Sequence, residues 1–512
     1  MAVGDASQPS RRQFLARLGA TAGLLEATAM SLPPRLRAAE ARPPRPNFVL
    51  FFTDDQGYND VGCFGSPDIR TPNFDRMARQ GIRLTSFYAQ AVCGPSRAAL
   101  MTGCYPIRVA EPGNTKGQHT ILHPREVTIG EVLQDAGYAT ALIGKWHLAG
   151  GRRPHYPPEL MPNAQGFDYF FGTPLHNGTT RTVDGGSFRT QRMRNNQVLD
   201  DFLDQDEMNQ LTATYTREAC QFIREHRRRP FFLYLAHNMP HVPLGVSDAF
   251  RGRSARGRYG DVIEELDWSL GQILRTLEEL GLDEKTLVLF TSDNGPWVEK
   301  HLAGKGGKDA YYGSAEPLRG SKMMTWDGGP RVPGVARWPG RIPGGQVSDE
   351  VVTTLDVLPT FARLAGARVP GDRIIDGRDV WPILGGQAGA ESPREAFYFY
   401  CYTHLQAVRS GRWKLVLPRP VRPPWCGWSA RMVDAVEELR LHDLGADIAE
   451  QHNVADQHPR VVARLMGLIE AARQDLGDYD RVGQGARFFD PGPKRPDVDF
   501  WKRRRPRAAG GE

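Results

Sequence analysis

The chain has 512 residues, 40% of them hydrophobic and 24% charged, with a formal net charge of +6. Five basic against three acidic residues in 1–41, and seven against three in 491–512, account for the whole excess, so the body is neutral and the charge argues for no nucleic-acid partner. No run reaches the ~18 apolar residues of a membrane span. The six cysteines (63, 93, 104, 220, 401 and 426) follow no disulfide-framework spacing, and only Cys401 and Cys426, flanking one late loop, suggest a pair that export would let form.

In chain order, Ser10-Arg11-Arg12-Gln13-Phe14-Leu15 is a twin-arginine pattern. A weakly apolar stretch to about Leu32, interrupted by Glu26, leads to a small-residue break at Ala39-Glu40-Ala41. Residues 1–41 are therefore expected to be a signal that exports folded proteins, giving a periplasmic or secreted mature chain. Beyond it, four apolar runs end in polar clusters. Asn47–Phe52 leads into Asp54 and Asp55; Tyr138–Ile143 into Lys145 and His147; Phe231–Ala236 into His237 and His241; Thr286–Phe290 into Asp293 and Asn294. Continuous apolar runs of this length suit strands buried on both faces. Helical patterns at Thr128–Ala136, Leu211–His226 and Asp261–Leu280 alternate with them, which predicts a mostly parallel α/β sheet over 42–390. Ligands of such sheets sit beyond the carboxyl ends of the strands, where all four polar clusters fall.

After about residue 390 the texture changes. Short strands are predicted at Ala396–Tyr402, Gln406–Arg409, Trp413–Leu417 and Leu439–Leu444, and an amphipathic helix at Pro459–Leu476. They form a smaller α+β unit, 391–487, on an antiparallel sheet. The Pro- and Arg-rich end, 488–512, is expected to be a basic, partly ordered tail.

Asp54 and Asp55 point to one side only if the strand breaks there, which Gly57 permits. With Asp293 and Asn294 they offer oxygen ligands alone, the set of a hard cation such as Ca²⁺ or Mg²⁺. Turn-capping aspartates are the bland alternative. Cys93 precedes Pro95 and a short helix, Ser96–Thr102, ended by Gly103, so it lies at the end of a helix that favours anions. A thiolate nucleophile and a buried inert cysteine are both compatible with that position. His237 and His241 are four apart, but Pro240 between them and the lack of a glutamate after His237 argue against a zinc helix. Lys322 on its own reads as a surface lysine.

Taken together these segments resemble the type I, formylglycine-dependent sulfatases, especially the arylsulfatase A and N-acetylgalactosamine-6-sulfatase branch of the alkaline phosphatase superfamily. The resemblance runs from about Pro46 to Leu476. Cys93-Gly94-Pro95-Ser96-Arg97 keeps the core by which such enzymes have their cysteine converted to formylglycine. Gly144-Lys145-Trp146-His147, Pro240-His241-Val242-Pro243, Ser292–Pro296, Leu318–Gly329 and Leu441–Val454 match further family segments. One position departs: Cys104 stands where the family often has an auxiliary arginine. The resemblance implies an alkaline phosphatase-like fold and hydrolysis of sulfate esters, aryl sulfates in assay and sulfated carbohydrate in nature. It implies one cation, calcium before magnesium, held by Asp54, Asp55, Asp293, Asn294 and the modified Cys93. It further implies that Arg97, Lys145 and Lys322 hold the sulfate, that His241 with Lys322 protonates the leaving alcohol, and that His147 deprotonates the second hydroxyl of a gem-diol at residue 93. His176 is expected near the substrate, and a formylglycine-generating enzyme is the expected maturation partner.

Two other readings use the same residues. A phosphomonoesterase or phosphodiesterase of the superfamily shares the layout, but usually carries two transition metals with more His and Asp ligands and a Thr or Ser nucleophile. A non-catalytic glycan-binding paralogue should have lost one of Cys93, Arg97, Lys145 or His241, and none is lost.

Overall fold

A computed structural model describes residues 45–111, 121–150, 156–177, 180–181, 187–188, 190–298 and 312–489. The twin-arginine segment and nearly all of the basic tail lie outside the described residues.

Among the described residues, eleven strands form the large sheet. In chain order they are β1 (Asn47–Thr53), β2 (Ile82–Tyr88), β3 (Ala139–Lys145), β4 (Tyr169–Thr173), β5 (Arg192–Arg194), β6 (Gln197–Asp200), β7 (Phe231–Ala236), β8 (Thr286–Ser292), β9 (Arg331–Arg337), β10 (Gln346–Ser348) and β11 (Val352–Thr353). The spatial order is β6-β5-β4-β3-β7-β1-β8-β9-β2-β10, with β11 also paired to β2. The central five, β4-β3-β7-β1-β8, are parallel throughout. Antiparallel pairs join β9 to β8 and to β2 on one side, and β5 to β4 and to β6 on the other.

Why the central runs read as unbroken apolar stretches is visible in β1. Phe48, Leu50 and Phe52 enter one hydrophobic cluster, while Val49 and Phe51 enter another on the opposite face. Helices α1 (Pro72–Arg79), α4 (Leu211–Glu225) and α5 (Gly257–Glu279) cover the second face. Helices α2 (Cys93–Thr102), α3 (Ile129–Asp135) and α6 (Val357–Ala365) cover the first. Register places the strand ends in one row: Phe52 is opposite Ala236, Ala236 opposite Gly144, and Thr53 opposite Ser292. The residues that follow these ends therefore emerge side by side at one edge.

Helix α2 begins at Cys93 itself, three residues before the start expected from the sequence, with extended Val92 as its N-cap. Pro95 falls among the first residues, whose N–H groups have no helical partner anyway. Gly103 ends the helix at φ 66, the left-handed cap that glycine fits best.

The late strands are β12 (Phe397–Cys401), β13 (His404–Ser410), β14 (Trp413–Val416) and β15 (Arg440–Asp443), an antiparallel sheet in chain order, with α7 (Pro459–Asp475) packed on it. Tyr88, Ala99, Tyr105 and Trp326 join the hydrophobic cluster of this sheet, so it shares a core with β2 and α2. Cys401 and Cys426 are both free thiols: Cys426 Sγ donates to the carbonyl of Cys401 at 3.6 Å, and the pairing suggested by their flanking positions is not formed.

Candidate active site

Asp54 and Asp55 follow β1 directly. Asp55 has φ 67, and this left-handed turn breaks the strand's alternation so that both carboxylates reach one cluster. The amide of Asp55 donates to Asp293 Oδ1 at 3.1 Å, tying the end of β1 to that of β8. Cys93 and Arg97 lie four apart on α2 and hence on one face. Lys145 is the last residue of β3, and His147 turns away at φ 62. Gly144 allows β3 to pass β7 here: a Cβ on it would lie 1.8 Å from the carbonyl oxygen of Ala236. His241 sits in the loop after β7, held by Asn177, whose Nδ2 donates to the carbonyls of His241 (2.9 Å) and Pro243 (3.0 Å). Lys322 is carried by a tight loop in which Met323 has φ 74.

The cluster is almost wholly buried. Lys145 Nζ donates to Asp54 Oδ2 at 2.5 Å, and Arg97 bonds Asp293 Oδ2 through Nε (3.2 Å) and Nη2 (2.9 Å). Lys322 Nζ donates to both oxygens of Asp55, at 2.6 and 2.8 Å, and is 1% exposed rather than the surface lysine its sequence context suggests. Asp55 Oδ1 also accepts from Asn294 Nδ2 at 2.7 Å, and His241 Nε2 stands 3.8 Å from Asp55 Oδ2.

Burial alone would raise the Asp54 carboxyl, but Lys145, His241, Arg97 and Lys322 together hold it far below the carboxylate range. Asp293 goes the other way, pushed up to about 7 by burial and by the charge of Asp54. Burial also raises the Cys93 thiol, so an unmodified cysteine here stays protonated. His241 is lowered to about 4 by burial and Lys322 against the pull of Asp55, which makes it neutral at physiological pH.

A cation fits these residues. Asp54 Oδ1 and Asn294 Oδ1 are buried oxygens with no hydrogen-bond donor. The ligand atoms of Asp54, Cys93 and Asp293 lie within 4.8 Å of one another, as do those of Asp54, Asp55 and His241. Oxygens waiting for a positive partner, in a set with no required histidine, suit a hard divalent ion.

The sequence-named residues converge, including His176: its ring centre is 5.5 Å from that of His147 and 5.3 Å from that of His241. His237 does not join them. It points under the sheet to Ser269 Oγ at 3.1 Å, among the apolar residues of α4 and α5. Three contributors were missed. Tyr234, inside the apolar run of β7, accepts from Arg97 Nη1 at 3.4 Å; Asn177 fastens the His241 loop; and Trp297 places its ring 5.4 Å from Lys322 Nζ. Only Trp297 carried a signal, two residues beyond the Asp293-Asn294-Gly295 cluster.

Comparison with known proteins bears on this site. A family model described as Sulfatase matches residues 46–367, and one described as N-sulphoglucosamine sulphohydrolase, C-terminal, matches 321–475. The chain is 37% identical to mouse steryl-sulfatase over 468 residues, covering 76% of this chain and 74% of that protein. It is 39% identical to dog N-acetylgalactosamine-6-sulfatase over 402 residues (73% and 72%), and 36% identical to human arylsulfatase A over 516 residues (93% and 95%). Among solved structures, a sulfatase from a Pseudoalteromonas species superposes with a TM-score of 0.72 at 28% identity, over 83% of this chain and 89% of that one.

Proposed function

Because the chain belongs to the sulfatase family and is a sulfuric ester hydrolase, we propose that it removes sulfate from a sulfated carbohydrate, using formylglycine at position 93 and one Ca²⁺ held by Asp54, Asp55, Asp293 and Asn294. The observation that carries this reading is the pair of donorless buried oxygens, Asp54 Oδ1 and Asn294 Oδ1, set beside Cys93 within a ring of Arg97, Lys145 and Lys322. In the structure the Cys93 thiol stands in for the hydrated aldehyde, which would supply one oxygen to attack sulfur and a second hydroxyl whose deprotonation would expel sulfate with the first oxygen and restore the aldehyde. The cation, when bound, supplies positive charge that withdraws electron density from the sulfate oxygens.

The chain's own residues do the rest. Arg97, Lys145 and Lys322 bring three fixed charges to bear on a dianion-like transition state, in a buried site where such charges act most strongly. His241, whose Nδ1 donates to the Val242 carbonyl at 2.6 Å, turns Nε2 toward the departing alcohol and gives up a proton there once the ring is protonated, with Lys322 beside it. His147 accepts the proton of the second hydroxyl of residue 93. His176, between the two histidine rings, borders the place of the leaving group. Maturation by a formylglycine-generating enzyme follows from the intact Cys-x-Pro-Ser-Arg core. Export by the twin-arginine route follows from residues 10–15. Among the described residues no helix is long and apolar enough to cross a membrane.

The test pairs substrates of different leaving groups on His241→Gln. Its rate on an unactivated sugar sulfate should fall by about 10²-fold or more, and on an activated aryl sulfate much less, since proton donation matters only where the alcohol is a poor leaving group. Equal losses on both would remove His241 from this role. Elemental analysis of the active protein should find one equivalent of calcium; stoichiometric zinc would overturn the ligand reading.

A further inference from the structure

One wall beside the nucleophile comes from the connections of the antiparallel sheet. Cys93 shares an apolar cluster with Trp297, Met323, Tyr402 and Val433, and Met432 packs partly buried against it. Trp297 links this wall to the charged site. Lys322 Nζ stands 5.4 Å from the centre of its ring, and Arg431 Cζ stands 5.4 Å from the same centre. The two cations are therefore at most twice that distance apart, no farther than the two ends of a disaccharide. Lys322 is buried on Asp55, whereas Arg431 is exposed. A guanidinium is planar and offers paired donors that match the oxygens of a carboxylate or sulfate. The indole between the two cations is itself buried, so it fixes their spacing.

We propose that Arg431, set on the buried Trp297, forms a subsite for a second anionic group on the substrate, a carboxylate or a further sulfate one sugar or less from the scissile ester. The proposal rests on the sulfatase reading and deepens it: the substrate class is a multiply anionic sulfated saccharide, and a neutral aryl or steryl sulfate gains nothing from Arg431. The scissile sulfate occupies the ring of Arg97, Lys145 and Lys322, and the second anion meets Arg431 at the exposed end.

The experiment compares kcat/KM of the parent, Arg431→Gln and Arg431→Lys on four substrates: a neutral aryl sulfate, a monosulfated disaccharide, the same disaccharide with a carboxylate, and the same with a second sulfate. The parent should prefer a doubly anionic substrate, the preferred one naming the anion. Arg431→Gln should cut that preference by about tenfold, through KM, and abolish its dependence on salt. Arg431→Lys, which keeps the charge and loses the fork, should retain part of it. An equal loss on all four substrates, or a preference unchanged in the variants, would overturn the subsite and leave Arg431 as a cation resting on Trp297. A parent inactive on every sulfate, the aryl ester included, would instead overturn the sulfatase reading.

Discussion

Among the described residues, two buried ionic clusters are alike in composition, and only one of them has the features of a reactive site. The first joins Asp54, Asp55 and Asp293 to Arg97, Lys145 and Lys322. The second joins Asp327 and Glu450 to Lys414 and Arg331, with Arg409 reaching Tyr88, where the two sheets meet. Both contain one carboxyl driven down and one driven up. Asp54 and Asp327 are lowered by neighbouring cations against the effect of burial, whereas burial carries Asp293 and Glu450 to about 7. Perturbed titration therefore does not separate them. Valence does. Lys414 Nζ donates to the Thr325 carbonyl (2.9 Å) and to Asp327 Oδ1 (2.8 Å), and Glu450 Oε1 stands 2.7 Å from it as an ion-pair contact outside hydrogen-bond geometry. Asp327 Oδ2 accepts from Tyr88 (2.7 Å) and Arg331 (3.2 Å), and Glu450 Oε2 from the Asp327 amide (2.6 Å). The first cluster leaves Asp54 Oδ1 and Asn294 Oδ1 without donors and has left-handed backbone at Asp55, His147 and Met323. A closed ionic cluster holds two sheets together; an open one is prepared for an ion and a substrate.

The comparison can be broken most sharply at Asp54. Asp54→Asn should lower turnover by about 10³-fold or more, because it weakens cation binding and the charge balance around the sulfate. Calcium affinity measured by calorimetry should fall with it, and near-normal turnover would show that the open oxygen has no role. Lys414→Met should do the reverse. Removing one partner of a closed buried cluster costs about 3–5 kcal/mol of stability, read by denaturant unfolding, while calcium affinity measured by calorimetry stays at the parent's value. A loss of affinity without loss of stability would make the second cluster part of the site.

A smaller effect samples both regions at once. His237 under the large sheet and His404 beside the small one are each lowered by burial from 6.5 to about 3. Each stays neutral in the folded chain while the unfolded chain takes up a proton below 6.5, so stability falls as pH drops from 6.5 and is unaffected by them above it. The loss should reach about 2 kcal/mol per histidine at pH 5. His404→Gln should flatten the stability profile between pH 6.5 and 5 by about that amount; an unchanged slope would mean that His404 is protonated in the folded chain.

The large sheet was legible because its central strands are buried on both faces and read as unbroken apolar runs, with polar residues held back to their ends. Asp54, Asp55, Asp293 and Asn294 were legible for the same reason: a carboxylate directly after such a run has only the strand end to occupy. Lys322 was not, because what buries it is its ion pair with Asp55 and the ring of Trp297, contacts between segments far apart in sequence. Tyr234 hid inside an apolar run, its hydroxyl function masked by its bulk. The start of α2 was read late because Pro95 looks like a first helical residue, whereas the structure uses it inside the first turn. The Asp327–Lys414–Glu450 cluster left no local trace, since each member is an ordinary charged residue until the two sheets meet.

The most direct test of the central claim is the chemical state of residue 93 in relation to activity. Preparations made with graded levels of a formylglycine-generating enzyme should be digested, and the peptide containing Cys93 weighed by mass spectrometry. Specific activity on an aryl sulfate should rise in proportion to the fraction carrying the aldehyde, extrapolate to zero for the thiol form, and be absent from Cys93→Ala. Full activity in protein whose residue 93 is an unmodified cysteine would contradict the account.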